Sequence, residues 1–373
     1  MTMELDFSPE QDMLREMVRG VCNAYAPLET VRALEDTPRG YPEELWKQLA
    51  SVDLIGLMIP EAHGGSGMSL LEGIVLYEEL GRALTPSPHF VSAVMSAGAL
   101  LRAGSPEQQR AWLPRIARGE AVATVAWLEP GNGYSPRGVD ATAKPADDGF
   151  TIEGVKWHVP FAESADVLVV LGRTGDAATD VDLFLVDPKQ PAVTMEQQLT
   201  LGSCAQYAVT LGGARGERLG AAGRGWATWQ DTMLDGIILL AAQAIGGARA
   251  ALDMTVQYAK DREQFDKPLG AFQAIAHYLA DASTAVEGGT ILVHEAAWAR
   301  ANGRESERLA AMAKLFACQT FRDVTAMAQQ VFGGVGFTVE YDIQLYFRRA
   351  KQLQLSWWDD RTLEERVAAS VLD

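Results

Sequence analysis

Basic residues are scarce in this chain of 373: 32 Lys and Arg stand against 49 Asp and Glu, a net charge of −17. That balance argues against a nucleic-acid partner, because phosphate backbones are gripped by clustered cations. Cysteine is scarce too. Cys22, Cys204 and Cys318 are far apart, show no metal-ligand spacing and suit a reducing compartment. No metal site is expected. Long apolar runs are missing: the most apolar stretch, 237–252, is broken by Gln243, Gly246, Gly247 and Arg249, too short and interrupted to span a bilayer. The opening Met-Thr-Met-Glu-Leu-Asp-Phe has neither the basic nor the apolar region of a secretion signal. A cytoplasmic protein without membrane attachment is the expectation.

What is present falls into three textures, which place expected domains at 1–120, 121–225 and 226–373. The first reads as helices. Ser8-Pro9-Glu10 is a helix start, Pro42 to Leu49 and Ser69 to Gly81 follow helical patterns, and Gln108 to Ile116 completes the set. Pro60-Glu-Ala-His-Gly-Gly-Ser-Gly is a loop by composition. The second texture is β-rich. Phe150–Val159, Ala165–Gly172 and Val181–Asp187 are closely spaced with short turns, predicting an antiparallel barrel or sandwich. The third is helical again, with Ala/Leu-rich segments at 226–262, 271–302 and 305–331. The fold class is α+β.

Two motifs carry chemistry. Arg262 and Gln273 flank a short Pro-Gly loop, and Gln330-Val-Phe-Gly-Gly-Val-Gly336 follows. A guanidinium can grip a pyrophosphate through two parallel charge-assisted hydrogen bonds. A Gly-Gly-x-Gly turn lets backbone N–H groups approach an anion that a Cβ would hold off.

Tyr258-Ala-Lys-Asp-Arg-Glu-Gln-Phe265 with Pro268 to Ile275, Gln330 to Tyr341, and Leu345 to Lys351 closely resemble the acyl-CoA dehydrogenase family. Ile59 to Gly67 and Tyr77 to Arg82 resemble its N-terminal part, so the likeness covers essentially the whole chain. It implies an N-terminal helical domain, a middle β-barrel and a C-terminal four-helix bundle. It also implies a flavoenzyme that desaturates acyl-CoA esters with FAD, a carboxylate base taking the α-proton while flavin N5 accepts the β-hydride. Electrons then pass to an electron-transferring flavoprotein. In the family each FAD lies across a subunit interface. The neighbour-side contacts correspond here to Arg262, Phe265, Gln273, Gln330, Gly333, Gly334 and Gly336.

The flavin-ring side departs from the family pattern. Thr-Glu-Pro is replaced by Leu128-Glu-Pro130, and the following Gly-Ser-Asp is absent. In the second flavin segment His158 stands at the Trp position and Pro160 at the Thr position. Each lost hydrogen bond to a buried ring edge costs about 1–3 kcal/mol. The base departs too: Trp357 occupies the commoner Glu position and Gly236 the alternative one. Asp235 and Asp359 are near misses, and Asp359 is the single candidate base. The aromatics Trp157, Phe161, Trp357 and Trp358 are candidates to fill a vacated pocket. The five histidines form no cluster.

Family members of heteromeric type, known from steroid side-chain breakdown, divide the site between two chains. The resemblance implies an α2β2 assembly in which this chain clasps the FAD tail, while a sister acyl-CoA dehydrogenase subunit holds the flavin ring, the base and the acyl-CoA substrate. Two other readings stay open: a self-sufficient homotetramer with Asp359 as base, and a non-catalytic member that binds acyl-CoA or a protein.

Overall fold

Three helices begin on a serine for one reason. Ser8, Ser69 and Ser105 each accept a hydrogen bond from a backbone N–H of the first turn. The Gln or Glu three residues on, Gln11, Glu72 and Gln108, returns the bond to the serine N–H. These capping boxes start α1 (Pro9–Tyr25), α4 (Leu70–Arg82) and α6 (Pro106–Ala117). Between them lie α2 (Leu28–Ala33), α3 (Glu43–Ser51) and α5 (Ala97–Ala103), the last preceded by a π-helical segment at Phe90–Ser96. The structure, a computed structural model, describes residues 7–147 and 149–372.

By packing, the described residues fall into two compact units, each drawn from separated segments. One takes Met1–Arg32, Ser69–Thr85 and Ile237–Asp373; the other takes Ala33–Met68 and Pro86–Gly236.

The second unit contains the barrel. Its strands are β1 (Ala123–Ala126), β2 (Thr142–Ala146), β3 (Gly149–Pro160), β4 (Val167–Arg173), β5 (Val181–Val186), β6 (Val193–Gln198) and β7 (Gln206–Leu219). The ladder runs β4-β2-β3-β7-β5, and β5 pairs back onto β4, closing the sheet. β1 extends it from β4 and β6 from β7. The expected antiparallel arrangement is modified: β1 and β2 both meet β4 in parallel, so the sheet is mixed. β5 is buried at every position, whereas β6 alternates, as a strand with one solvated face must. Ile152, Leu168, Val170, Phe184, Val209 and Leu211 form the core of the barrel.

The first unit is helical. To α1 and α4 it adds most of α7 (Gly225–Asp261), then α8 (Gln273–Ala301), α9 (Glu307–Phe332), α10 (Ile343–Leu355) and α11 (Asp360–Leu372). Helix α9 packs against α8, α10 and α11. Helices α4 and α7 cross backbone to backbone. A Cβ on Gly81 would lie 2.0 Å from the Gln243 carbonyl oxygen, and one on Gly246 1.9 Å from that of Glu78. α7 is long and apolar enough by composition to cross a membrane, but 78% of its apolar window is buried inside the protein, as in a core helix.

Candidate functional site

At the end of α7 the chain turns back through a two-residue hairpin. β8 (Glu263–Gln264) pairs with β9 (Lys267–Pro268), and Phe265 and Asp266 form the turn with φ of 54° and 63°. Left-handed backbone at both central positions is the type I′ geometry that suits hairpin twist, usually supplied by Asn-Gly. Here it costs about 1–2 kcal/mol per residue. It holds the Phe265 ring 87% exposed at the tip. Phe272 braces the hairpin: Lys267 Nζ lies 4.1 Å from the centre of its ring and Phe265 meets it edge-on. Arg262 and Gln273 are exposed on either side. Among the described residues, the Arg262 guanidinium has no hydrogen-bond or ion-pair partner.

The glycine turn closes α9. Gln330, Gly333 and Gly334 line an open cleft of about 640 Å³ with Phe337, Phe347 and Arg348. Gly333 has φ +66°, a conformation that L side chains rarely adopt, and no atom lies within 4 Å of where a Cβ would stand on it or on Gly334. The cradle is therefore bare backbone facing open space. Gly336 differs. It is buried, and a Cβ on it would lie 2.9 Å from Phe332 Cβ and 2.7 Å from Gln329 Oε1, so a side chain there would crowd the turn against the end of α9. Tyr258, one turn before Arg262, stacks on Phe332, the residue preceding Gly333. Tyr258 and Arg348 lie within the motifs 258–265 and 345–351 without being singled out there; Tyr258 is spaced i,i+4 from Arg262, and Arg348 from Gln344.

In the other unit, the segments at the family's flavin-ring positions are occupied with each other. The Leu128 carbonyl accepts the Trp157 N–H at 2.9 Å, and the Pro160 carbonyl accepts the Thr124 hydroxyl at 2.6 Å. A bulge between Lys156 and Val159 breaks the β3–β7 register and includes His158 in left-handed backbone; Phe161, just past the strand, is left-handed too. His158 donates its N–H to Gln198 Oε1 at 2.8 Å, and its Nδ1 lies 3.1 Å from Gln206 Oε1. Beneath, Lys156 is wholly buried with Nζ 2.5 Å from Glu129 Oε1. Burial lowers the Lys156 pKa, and the Glu129 carboxylate offsets part of the fall. The Trp127 indole stacks on Tyr134, which stands in the loop replacing Gly-Ser-Asp, and packs on the buried Trp229. Of the four candidate pocket-fillers, Trp358 is fully buried, Phe161 packs against the barrel core, Trp157 is 39% exposed and Trp357 is partly buried.

Neither position that the family resemblance assigns to the base, Gly236 or Trp357, carries a carboxylate. Gly236 is buried, and a Cβ there would lie 2.6 Å from Met95 Sδ and 3.3 Å from Phe90 Cζ, leaving no room for a glutamate without repacking. Asp235 beside it binds Arg102. Trp357 and Trp358 are both left-handed, with φ of 56° and 70°. The buried Lys314 ammonium holds that loop, donating to the carbonyls of Ser356 at 3.0 Å and Trp358 at 2.9 Å. Asp359 caps α11: its Oδ1 accepts from the Thr362 N–H at 3.0 Å and hydroxyl at 2.7 Å.

The sequence matches the acyl-CoA dehydrogenase N-terminal domain over residues 8–120, the middle domain over 124–210 and the C-terminal domain over 223–357. It is 34% identical to acyl-CoA dehydrogenase IpdE2 of Mycolicibacterium smegmatis, over 92% of this chain and 93% of that protein. The solved ChsE4–ChsE5 complex from Mycobacterium tuberculosis contains a chain of 28% identity that superposes with a TM-score of 0.90, covering 100% of this chain and 99% of that one. A steroid acyl-CoA dehydrogenase variant, Tcur3481–Tcur3483, gives 32% identity and a TM-score of 0.88 over 97% of both chains. The chain belongs to the acyl-CoA dehydrogenase family, oxidoreductases that act on acyl-CoA and carry FAD. For that cofactor the two halves of the structure give opposite answers. The open glycine cradle fits its pyrophosphate. The ring-side segments do not fit its isoalloxazine, since Leu128 offers no hydroxyl and Pro160 neither hydroxyl nor N–H.

Proposed function

We propose that this chain is one subunit type of an α2β2 acyl-CoA dehydrogenase. In it Arg262, Phe265, Gln273, Gln330, Gly333, Gly334 and Gly336 clasp the adenosine and pyrophosphate of a FAD whose ring lies on a sister subunit. That sister supplies the base, the ring pocket and the acyl-CoA site, and the assembly passes electrons to an electron-transferring flavoprotein. The domain division taken with this reading is 1–120, 121–225 and 226–373. The observation that carries it is the split between an open, bare-backbone cradle at Gly333–Gly334 and the lack of a carboxylate at Gly236 and Trp357. Similarity to the ChsE4–ChsE5 complex, an assembly of two named proteins, supports the heteromer, and the steroid dehydrogenase supports a steroid-derived acyl group.

In such an assembly this chain's residues bind and orient. Arg262 neutralises phosphate charge through a planar fork of donors. Phe265, held out on its strained hairpin, supplies an aromatic face. The chain moves no proton at the α-carbon, because a general base must be within hydrogen-bond reach of it. The test is to purify this chain alone and co-expressed with a family member that carries Thr-Glu-Pro and a placed Glu. The expected outcome is a colourless lone chain and a yellow, active complex with one FAD per pair. Stoichiometric flavin and turnover in the lone chain would end the proposal.

A further inference from the structure

The hairpin between α7 and α8 holds a shape that its own backbone disfavours. Phe265 and Asp266 are both left-handed, at the two positions where a type I′ turn prefers Asn-Gly. β8 and β9 are two residues each and form a sheet of their own. A two-stranded ribbon of that size does not hold itself together in water. Beneath it, Ala259, Lys260, Pro268 and Gly270 line an open recess of about 580 Å³, so close packing on α7 does not supply the support. Phe272 meets the hairpin from the other end. Lys267 Nζ lies 4.1 Å from the centre of its ring, and the Phe265 ring stands 6.2 Å away at 81°. These are the two arrangements that a ring quadrupole favours. Phe272 is itself fixed by main chain. Its N–H donates to the Leu269 carbonyl at 3.1 Å, and the Leu269 N–H donates to the Arg262 carbonyl at 2.8 Å. It also stands at the start of α8, directly before Gln273.

We propose that Phe272 is a positioning residue of the clasp: through Lys267 and Phe265 its ring keeps the strained hairpin folded and so presents Arg262, Phe265 and Gln273 together. The inference rests on the reading that these residues hold the FAD tail. Phe272 acts through the hairpin and not by touching the dinucleotide. Affinity then scales with the fraction of molecules whose hairpin is formed, and a competent state populated at about one part in ten binds about tenfold more weakly. Backbone strain is the other side of the same balance. Glycine adopts left-handed backbone without a Cβ penalty, so Asp266→Gly lowers what the ring has to hold.

The experiment uses the full-length chain and two readouts: amide hydrogen exchange across 263–269 without ligand, and ADP binding by calorimetry. Parent, Phe272→Leu, Phe272→Tyr, Lys267→Gln, Phe272→Leu with Asp266→Gly, and Arg262→Ala are compared, with thermal melts to check the fold. Phe272→Leu is expected to exchange about tenfold faster in that segment and to bind ADP about tenfold more weakly. Phe272→Tyr keeps the ring and follows the parent. Lys267→Gln, a surface change that spares the fold, falls between. Adding Asp266→Gly to Phe272→Leu returns both readouts to within about threefold of the parent, a rescue that a direct ligand contact would not show. Unchanged exchange in Phe272→Leu overturns the proposal. So does an affinity loss in Phe272→Leu that Asp266→Gly fails to restore. Faster exchange with unchanged ADP affinity, while Arg262→Ala is weakened, overturns the positioning role and leaves the clasp standing. If the parent binds no ADP, or Arg262→Ala binds it like the parent, the clasp reading fails and the positioning role falls with it.

Discussion

Tyr258 and Phe332 stack face to face, ring centroids 4.1 Å apart and planes 15° from parallel. One residue lies a helical turn before Arg262 and the other directly before Gly333, so the stack ties the end of α7 to the 330–336 turn. The Tyr258 hydroxyl adds a long 3.4 Å contact to the Phe332 carbonyl. The order of effects follows. Phe332→Ala removes a buried ring and lowers stability by about 3 kcal/mol or more. Tyr258→Leu loses the aromatic term of about 0.5–1.5 kcal/mol. Tyr258→Phe keeps the stack and changes little. Thermal unfolding of the three variants checks the order, and a Tyr258→Phe variant as unstable as Phe332→Ala would contradict it.

His89 is buried with its Nε2 3.0 Å from the Leu54 carbonyl. Burial pushes its pKa down from 6.5 to about 4, and the bond to Leu54 offsets only part of that. Between those values the unfolded chain binds a proton that the folded chain refuses. Stability is therefore fully present above about pH 6.5 and is lost as pH falls towards 4, with a total near 3 kcal/mol at about 1.4 kcal/mol per unit. Urea denaturation from pH 7 to 4.5 should show this slope. His89→Gln, which cannot titrate, should flatten it; an unchanged slope would assign the loss to other groups.

Part of this architecture is legible in residue order, and the reasons for the rest are physical. The serine caps at 8 and 69 and the β-rich middle region announce themselves because their causes are local. β7 does not: its 14 residues pair with β3, β5 and β6, and a strand's partners are set by barrel closure. Nothing in Phe265-Asp266 resembles a hairpin turn, because the usual Asn-Gly signal is missing and tertiary contacts carry the strain. Lysines are expected in solvent, yet Lys156 and Lys314 are wholly buried, each explained by partners far away in sequence. At the candidate site, the Gly-Gly-x-Gly pattern of the 330–336 turn is visible in the sequence. The division of labour among its glycines is not, since Gly333 faces open space and Gly336 faces Gln329.

Lys314 shows what such a buried cation does. Its ammonium gathers the Ser356 and Trp358 carbonyls and reaches towards that of Leu353 at 3.4 Å, pinning two consecutive left-handed tryptophans. Lys314→Met matches the side chain in length but leaves those acceptors without a donor. Each unsatisfied buried group costs about 1–3 kcal/mol, so a loss of about 3 kcal/mol is expected. The urea midpoint measures it. A shift below about 0.5 kcal/mol would mean that the loop holds its shape without the ammonium.

Asp359 offers the sharpest chemical discrimination, because its two possible roles respond oppositely to one atom. As the cap of α11 it needs an oxygen that accepts from the Thr362 N–H and hydroxyl, and asparagine supplies one. Asn and Asp are nearly equal as N-caps, whereas Ala costs about 1 kcal/mol. As a base it needs the carboxylate, and removing general-base catalysis costs about 10²–10⁴-fold in rate. The expected result for the co-expressed complex is that Asp359→Asn leaves both turnover and melting temperature near the parent's. Asp359→Ala should lower the melting temperature and leave turnover per folded complex unchanged. A hundredfold loss of turnover in a stably folded Asp359→Asn complex would return the base to this chain and require the Thr362 cap to open during the reaction.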